Sequence, residues 1–338
     1  MEIKNLSNIS LDAAGIVALA DLVAVPRRTA LTGTSALLDC LVLCPGLHRQ
    51  QDAPDLSKGE FPICAAMTTG YVFRVENQAT VAFLQAVGRT GHLTTLSVSP
   101  KAKGRSLAGQ MLYDGQNASF LSNLCYLGCV NATVGVTFAL AYLRDWWTLL
   151  ATAILIIARL INVLVLRRRS SQGWKGEPEP SLKSDLIVLM SQDRWIRIQG
   201  DVNDVKAITS GAWLREPFLF ENAAVAFATL SVYLDAVVVS NGSTGGKLLL
   251  LFLMFATVSL LGLCNEYTDV LSMYGRSMKI CLPRKGYPRR LDLANELMAE
   301  TGQKEWAVRL GMVNSKANEG DPAARSDKNE EITVVKEL

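Results

Sequence analysis

Histidine is nearly absent from this sequence: there are two in 338 residues. That scarcity excludes histidine-rich metal centres. Cys40, Cys44 and His48 recur at every fourth position, but they fall short of the four ligands a structural zinc site needs, so no metal is expected. The seven cysteines are an odd number and make no complete disulfide framework. A glycine-rich phosphate loop is missing, as are a Gly-x-Ser-x-Gly elbow and a His-Glu-x-x-His pair. The chemistries those motifs serve therefore lack support, and no cofactor is expected. A large charge of one sign is lacking too, and a net charge of +3 makes no strong case for nucleic acid as a partner. The opening MEIKNLSNISLDAAG carries Glu2 and Asp12 and has no compact positive region before an apolar core, so it does not read as a signal peptide.

Apolar residues make up 49% of the chain, only slightly above the globular average, so they must be concentrated somewhere. They lie in residues 121–166 and 222–264. The clearest run is Trp146 to Leu166, followed at once by Arg167, Arg168 and Arg169. A helix of about 21 residues crosses the roughly 30 Å hydrocarbon core, with the two tryptophans at one interface and the arginines at the other. Leu121 to Leu143 precedes it across a very short turn, and Gly128, Ala132 and Gly135 are small enough to admit a neighbouring helix. Asn222 to Ser240 and Leu248 to Cys264 form a second pair around a Gly-rich turn. Two antiparallel hairpins packed as one bundle are expected.

Basic residues crowd the stretch between the second and third spans and the stretch after the fourth, while the two hairpin turns hold only Arg144 and Lys247. By the positive-inside rule both termini and the central loop face the cytosol. The membrane is expected to be the endoplasmic reticulum or another endomembrane. Within the central loop, Asp185–Met190 and Arg194–Gln199 read as strands, Gly200-Asp201 as a turn, and Asp204–Thr209 as resumed alternation. Trp195 and Trp213 are expected near the headgroups.

The first 120 residues are less legible. Leu11 to Val25 has helical spacing that Pro26 is expected to end, and Thr34 to Leu47 is too short to span. These stretches read as surface-lying amphipathic helices, a re-entrant pair, or packed globular helices. Arg290 to Leu310 reads as an amphipathic helix broken at Gly302. The chain thus divides into an N-terminal cytosolic or interfacial region (1–120), a transmembrane hairpin (121–166), a β-rich loop (167–221), a second hairpin (222–264), an amphipathic helical region (265–313) and a disordered tail (314–338). The fold class is a mainly α membrane protein, a four-helix transmembrane bundle with a small cytosolic β-rich loop between spans two and three.

Ionisable residues inside a membrane are costly and are functional candidates by default. Arg159 lies roughly 10 Å from the cytosolic end of its span and Asp235 roughly 8 Å from the opposite face. That separation forbids direct pairing. Glu266 is the expected partner of Arg159, or the arginine snorkels to water.

The run SQDRWIRIQGDVNDVKAITSGAWLREP, followed by ENAAVAFATLSVYLDA, resembles a group of multi-pass membrane proteins of filamentous fungi. Some of these accompany polyketide–amino-acid biosynthetic enzymes, including decahydrofluorene-forming cyclases. The resemblance covers about residues 185–270 and brings no catalytic motif with it. It implies a membrane accessory or cyclase-type protein for a lipophilic intermediate, with the bilayer, the small molecule and enzymes of the same pathway as partners. A non-catalytic scaffold is the alternative and a transporter the third reading. The candidate substrate pocket is the cytosolic mouth of the bundle, lined by Arg159, Trp195, Arg197, Trp213 and Glu266.

Overall fold

A computed structural model of the chain describes residues 14–100, 119–180 and 182–314. The tail expected beyond Asn314 and the basic stretch Lys101–Arg105 lie outside the described residues.

The elements in chain order are helix α1 (Ala24–Thr32), strands β1 (Ile63–Ala66) and β2 (Val72–Arg74), helix α2 (Gln78–Val87) and strand β3 (His92–Pro100), then the long helices α3 (Phe120–Tyr142) and α4 (Trp146–Arg169). Strands β4 (Lys183–Met190) and β5 (Arg194–Asp201) and helix α5 (Val202–Thr209) precede the long helices α6 (Leu219–Ser240) and α7 (Thr244–Glu266). The chain continues with β6 (Val270–Met273), β7 (Arg276–Ile280), β8 (Lys285–Gly286), α8 (Arg290–Thr301) and α9 (Glu305–Arg309).

The four long helices have the length and apolarity to cross a membrane. Phe138, Trp147, Phe227, Leu234, Phe252 and Phe255 are among the large side chains they leave exposed, as lipid contact requires. Each helix packs most extensively on a member of the other hairpin: α4 lies along α6, and α3 along α7. Gly128 lets α3 approach α7 closely, since a Cβ there would stand 3.3 Å from Leu260 Cδ1. Asp145 ties the two hairpin turns together. Its carboxylate caps α4 by accepting from Thr148 N at 3.2 Å and also accepts from Ser243 N at 3.0 Å and Ser243 Oγ at 2.6 Å.

The β-structure is larger than the expected loop. It is an eight-stranded mixed sheet in the order β2-β1-β4-β5-β3-β7-β6, with β8 also pairing β3. Only β4 and β5 come from between the second and third spans. They form the expected antiparallel hairpin, Leu186 opposite Ile198, and β5 runs parallel to β3 with Leu96 opposite Ile198. The stretch before α3 supplies β1 to β3, and the stretch after α7 supplies β6 to β8, where only helix was expected.

One sheet face, with Leu96, Ile196 and Ile198, packs on α2, α5 and Trp213 and is continuous with Leu166 at the end of α4. The domain therefore sits directly under the bundle. The other face, with Leu93, Ile187 and Trp195, is covered by Leu293, Leu297 and Trp306. These come from α8 and α9, separated at Gly302 as expected, where a left-handed cap (φ +69°) ends α8. Residues 202–209 are helical, not a strand, because the Asp201 side chain accepts from Asn203 N at 2.9 Å and caps α5. Pro26 starts a helix instead of ending one. It lies in the first turn of α1, where its missing N–H leaves no bond unmade.

The N-terminal segment packs in among the four long helices. A 3-10 turn at Ala14–Leu19 packs against α6 and α7, and another at Leu37–Leu41 packs against α4 and α3. Leu43 and Leu47 are fully buried among Leu155, Ala158, Val232 and Leu253. The Leu43 carbonyl accepts from Thr257 Oγ1 at 2.5 Å. Thr257 stands about 14 Å up α7 from Glu266 at the helical rise. Irregular backbone is tolerated at such depth only when it is enclosed by protein and hydrogen-bonded.

Candidate functional site

The five residues expected to line one pocket are dispersed. Trp195 and Arg197 share the sheet face turned away from the bundle. Trp195 is buried beneath α8 with its ring centroid 6.3 Å from that of Tyr287, not near headgroups. Arg197 is clamped between Asp185 and Glu300, donating Nη2 to Asp185 Oδ2 at 2.5 Å and Nη1 to Glu300 Oε2 at 2.8 Å. Trp213 lies on the opposite face, at the junction with the bundle, where Nε1 donates to the Gly33 carbonyl at 2.8 Å. Glu266 is exposed and faces Arg27 at 3.4 Å.

Arg159 does not pair with Glu266 and does not reach the surface. It is 2% exposed and donates Nη1 to Gln50 Oε1 at 2.5 Å and Nε to the Asp39 carbonyl at 3.2 Å. Asp39 in turn accepts from Tyr126 Oη at 2.7 Å and caps Ala36 N at 2.8 Å. Gln50 Nε2 donates to Ser35 Oγ and to Thr29 Oγ1. The Arg28 guanidinium stands 5.4 Å from the Tyr126 ring centroid and donates to Thr268 Oγ1 at 3.3 Å. This buried chain of polar groups satisfies the N-terminal backbone and fastens it to α3, α4 and the end of α7. Its members are engaged with one another, which is the arrangement of a fastening and not of a site awaiting substrate. Asp235 differs. It is fully buried, and neither carboxylate oxygen has a hydrogen-bond partner among the described residues.

The Arg197 clamp has a pH consequence. The bond from Arg197, and its positive charge, hold the Glu300 carboxyl below its ordinary value of 4.5. A depressed folded value means the clamp's contribution is complete above the ordinary value and fades as pH falls through the lowered one. Glu300→Gln is expected to cost up to about 1 kcal/mol of domain stability at pH 7, because Glu300 is half exposed and screened, and less at pH 3. Denaturant titrations of both proteins at the two pH values check this; an equal deficit at both would assign the cost to packing.

The feature with the shape of a binding site lies at the edge of the sheet. Strand β2 is the terminal strand, and a groove of about 510 Å³ runs beside it. Tyr71, Phe73 and Trp174 give it apolar walls, and Arg74, Lys175 and Lys206 give it positive charge. The Tyr71 and Phe73 rings stack with centroids 5.8 Å apart. Trp174 is 76% exposed and Tyr71 64%, so both rings are open to a ligand. The far wall is residues 174–179 of the segment that leaves α4. Glu179 N donates to Asn203 Oδ1 at 3.0 Å, Asn203 Nδ2 returns a bond to the Glu179 carbonyl at 2.8 Å, and Lys206 pairs with the Glu179 carboxylate. Gly211 (φ +75°) lets the segment cross tightly, since a Cβ there would meet Trp174 O at 2.4 Å. Glu76 and Glu179 also line the groove, but Arg74 and Lys175 have no ion-pair partner among the described residues. Among the described residues the lining holds no histidine or cysteine, so what it offers is apolar contact and positive charge.

The sequence signal for this groove was there to be read. Trp174 is a lone large apolar residue in the polar stretch SSQGWKGEPEP, and Tyr71-Val72-Phe73-Arg74-Val75 is built from aromatic and β-branched residues around one arginine. Comparisons with protein-family models, with characterised proteins and with solved structures find no match to this chain.

Proposed function

We propose that this multi-pass membrane protein holds a lipophilic molecule bearing an anionic group at the cytosolic face of an endomembrane, in the groove beside β2, as an accessory to its biosynthetic processing. The observation that carries the reading is the groove's two-sided lining, three aromatic rings against two unpaired cations, which begins five residues after α4 leaves the membrane. The cytosolic placement is supported by the crowding of basic residues in the segments that build the sheet domain. The resemblance of residues 185–270 to fungal proteins of secondary metabolism suggests a polyketide–amino-acid product as the class of molecule.

A fluorescent long-chain carboxylic acid titrated into the protein in nanodiscs tests the site. Phe73→Ala with Trp174→Ala is expected to weaken binding roughly thirtyfold, the effect of losing about 2 kcal/mol of aromatic contact. Unchanged affinity would remove the groove from consideration. Deleting the gene and profiling metabolites tests the role: accumulation of one unprocessed precursor supports it, and broad loss of products favours a scaffold. The scaffold reading has its own support in the filled interior of the bundle, where Leu43 and Leu47 occupy the space between the helices.

A further inference from the structure

Strand β2 closes one end of the sheet and pairs only with β1. Ala66 N donates to Tyr71 O at 2.9 Å and Val75 N to Pro62 O at 2.9 Å, so Phe73, opposite Cys64, turns its backbone groups toward β1. By the alternation of an antiparallel ladder, the N–H and C=O of Val72 and Arg74 point the other way, out of the sheet edge. Neither backbone has a hydrogen-bond partner among the described residues. Such an edge is a template for any group that can complete the ladder.

Of the two residues, Arg74 lines the groove, while Val72 packs against the cluster of Leu293 and Leu297. The groove is therefore offered one donor and one acceptor set about a single Cα. That pair is the complement of one amino-acid unit and is too little for a whole strand. A second copy of the same edge would bring its own cations against Arg74 and Lys175, which like charges oppose. Three cations and two carboxylates line the groove, so its charge balances one negative group and not a phosphate or a diacid. A volume of about 510 Å³ with Tyr71, Phe73 and Trp174 in its walls suits a small apolar body attached to that group.

We infer that the groove takes an N-acyl amino acid, held as a one-residue extension of the sheet. Its amide N–H donates to the Arg74 carbonyl, its carboxylate accepts from the Arg74 N–H beside Lys175, and its acyl chain lies along the aromatic walls. The N–H and the carboxylate of such a molecule flank one carbon, as the backbone groups of one residue do, so both bonds form together. The inference rests on the groove being a binding site and narrows the class of its ligand: a plain lipophilic acid has no N–H for the Arg74 carbonyl.

Displacement of the fluorescent long-chain acid from the protein in nanodiscs tests this with competitors of equal chain length: N-tetradecanoylglycine, its N-methyl derivative and heptadecanoic acid. N-tetradecanoylglycine is expected to displace the probe at a roughly tenfold lower concentration than heptadecanoic acid, the effect of one further hydrogen bond to an otherwise unpaired carbonyl. The N-methyl derivative has the same charge and nearly the same apolar area but no N–H, and it should lose that advantage. Saturating N-tetradecanoylglycine should also slow exchange of the Arg74 amide at least roughly fivefold and leave that of Phe73, which faces β1, unchanged. Equal displacement by all the competitors would overturn the inference and leave the groove as a general site for lipophilic acids. A preference that survives N-methylation would overturn it too, because the amide would then lie away from the strand edge. So would a preference accompanied by no change at the Arg74 amide. If the fluorescent acid does not bind and no competitor slows the Arg74 amide, the groove fails as a site and the inference fails with it.

Discussion

Replacing Arg159 by methionine is expected to destabilise the membrane bundle by about 3–5 kcal/mol, enough to deplete the folded protein from the membrane. Methionine keeps most of the volume, so the loss reports the polar contacts. Removing the guanidinium strands Gln50 Oε1 and the Asp39 carbonyl in a dry interior, and it leaves the Asp39 carboxylate without the nearest opposite charge on α4. Breaking one member of a buried charged group costs that much because the rest stays buried and uncompensated. Glu266→Gln is expected to change stability by under about 0.5 kcal/mol, since its pair with Arg27 is exposed on both sides. Thermal denaturation in detergent, with membrane abundance as a second readout, decides between them. If the two substitutions cost the same, Arg159 does not fasten the N-terminal segment. A cycle with Asp39→Asn adds a further check, because the double variant should lose less than the sum of the single ones.

Gly46→Ala should be as damaging, for a reason that has nothing to do with charge. Gly46 has φ +82°, and a Cβ on it would lie 2.4 Å from the Leu22 carbonyl oxygen and 3.3 Å from that of Ala20. Backbone stands on both sides, so no side chain can swing away. Strain of about 1–2 kcal/mol from the left-handed conformation is joined by displacement of the turn that carries Leu43 and Leu47 into the bundle. A total above about 3 kcal/mol is expected. Gly302→Ala is the control. It has nearly the same dihedral (φ +69°), but a Cβ there meets nothing within 4 Å. It should cost only about 1 kcal/mol. Similar losses at both positions would mean that the dihedral alone matters and that the turn at Gly46 has room to move.

The bundle was legible because a membrane span writes itself locally, as about 20 apolar residues with charged ends. Strands β4 and β5 were legible for the same kind of reason, since both are short runs of β-branched and aromatic residues separated by a polar turn. The rest of the sheet was not. Strand β2 has three residues and β6 has four, and neither sets up a period. Their hairpins join the sheet through β1 and β7, whose other neighbours, β4 and β3, lie across two and four membrane helices in the sequence. Residues 204–209 misled because Val205, Ala207 and Ile208 suit either period, and the deciding feature was the cap at Asp201. The partner of Arg159 was missed because depth along the spans was the only coordinate in use. Gln50 and Asp39 come from a segment too short to span, and such a segment reaches that depth only when the surrounding helices enclose it.

The way three separated stretches share one sheet has a consequence for how the protein is made. Strand β3 lies between β5, which is synthesised after the second span, and β7, which is synthesised after the fourth. Until α7 has entered the bilayer, one side of β3 lacks its neighbour, and the face that later receives α8 is bare. The stretch holding Leu43 and Leu47 emerges from the ribosome before any of the helices that will enclose it. The nascent chain therefore carries an open strand edge and an unhoused apolar wedge through most of its synthesis, conditions that invite aggregation and call for chaperone protection. Assembly closes from the far end: the last hundred residues complete the domain that the first hundred began.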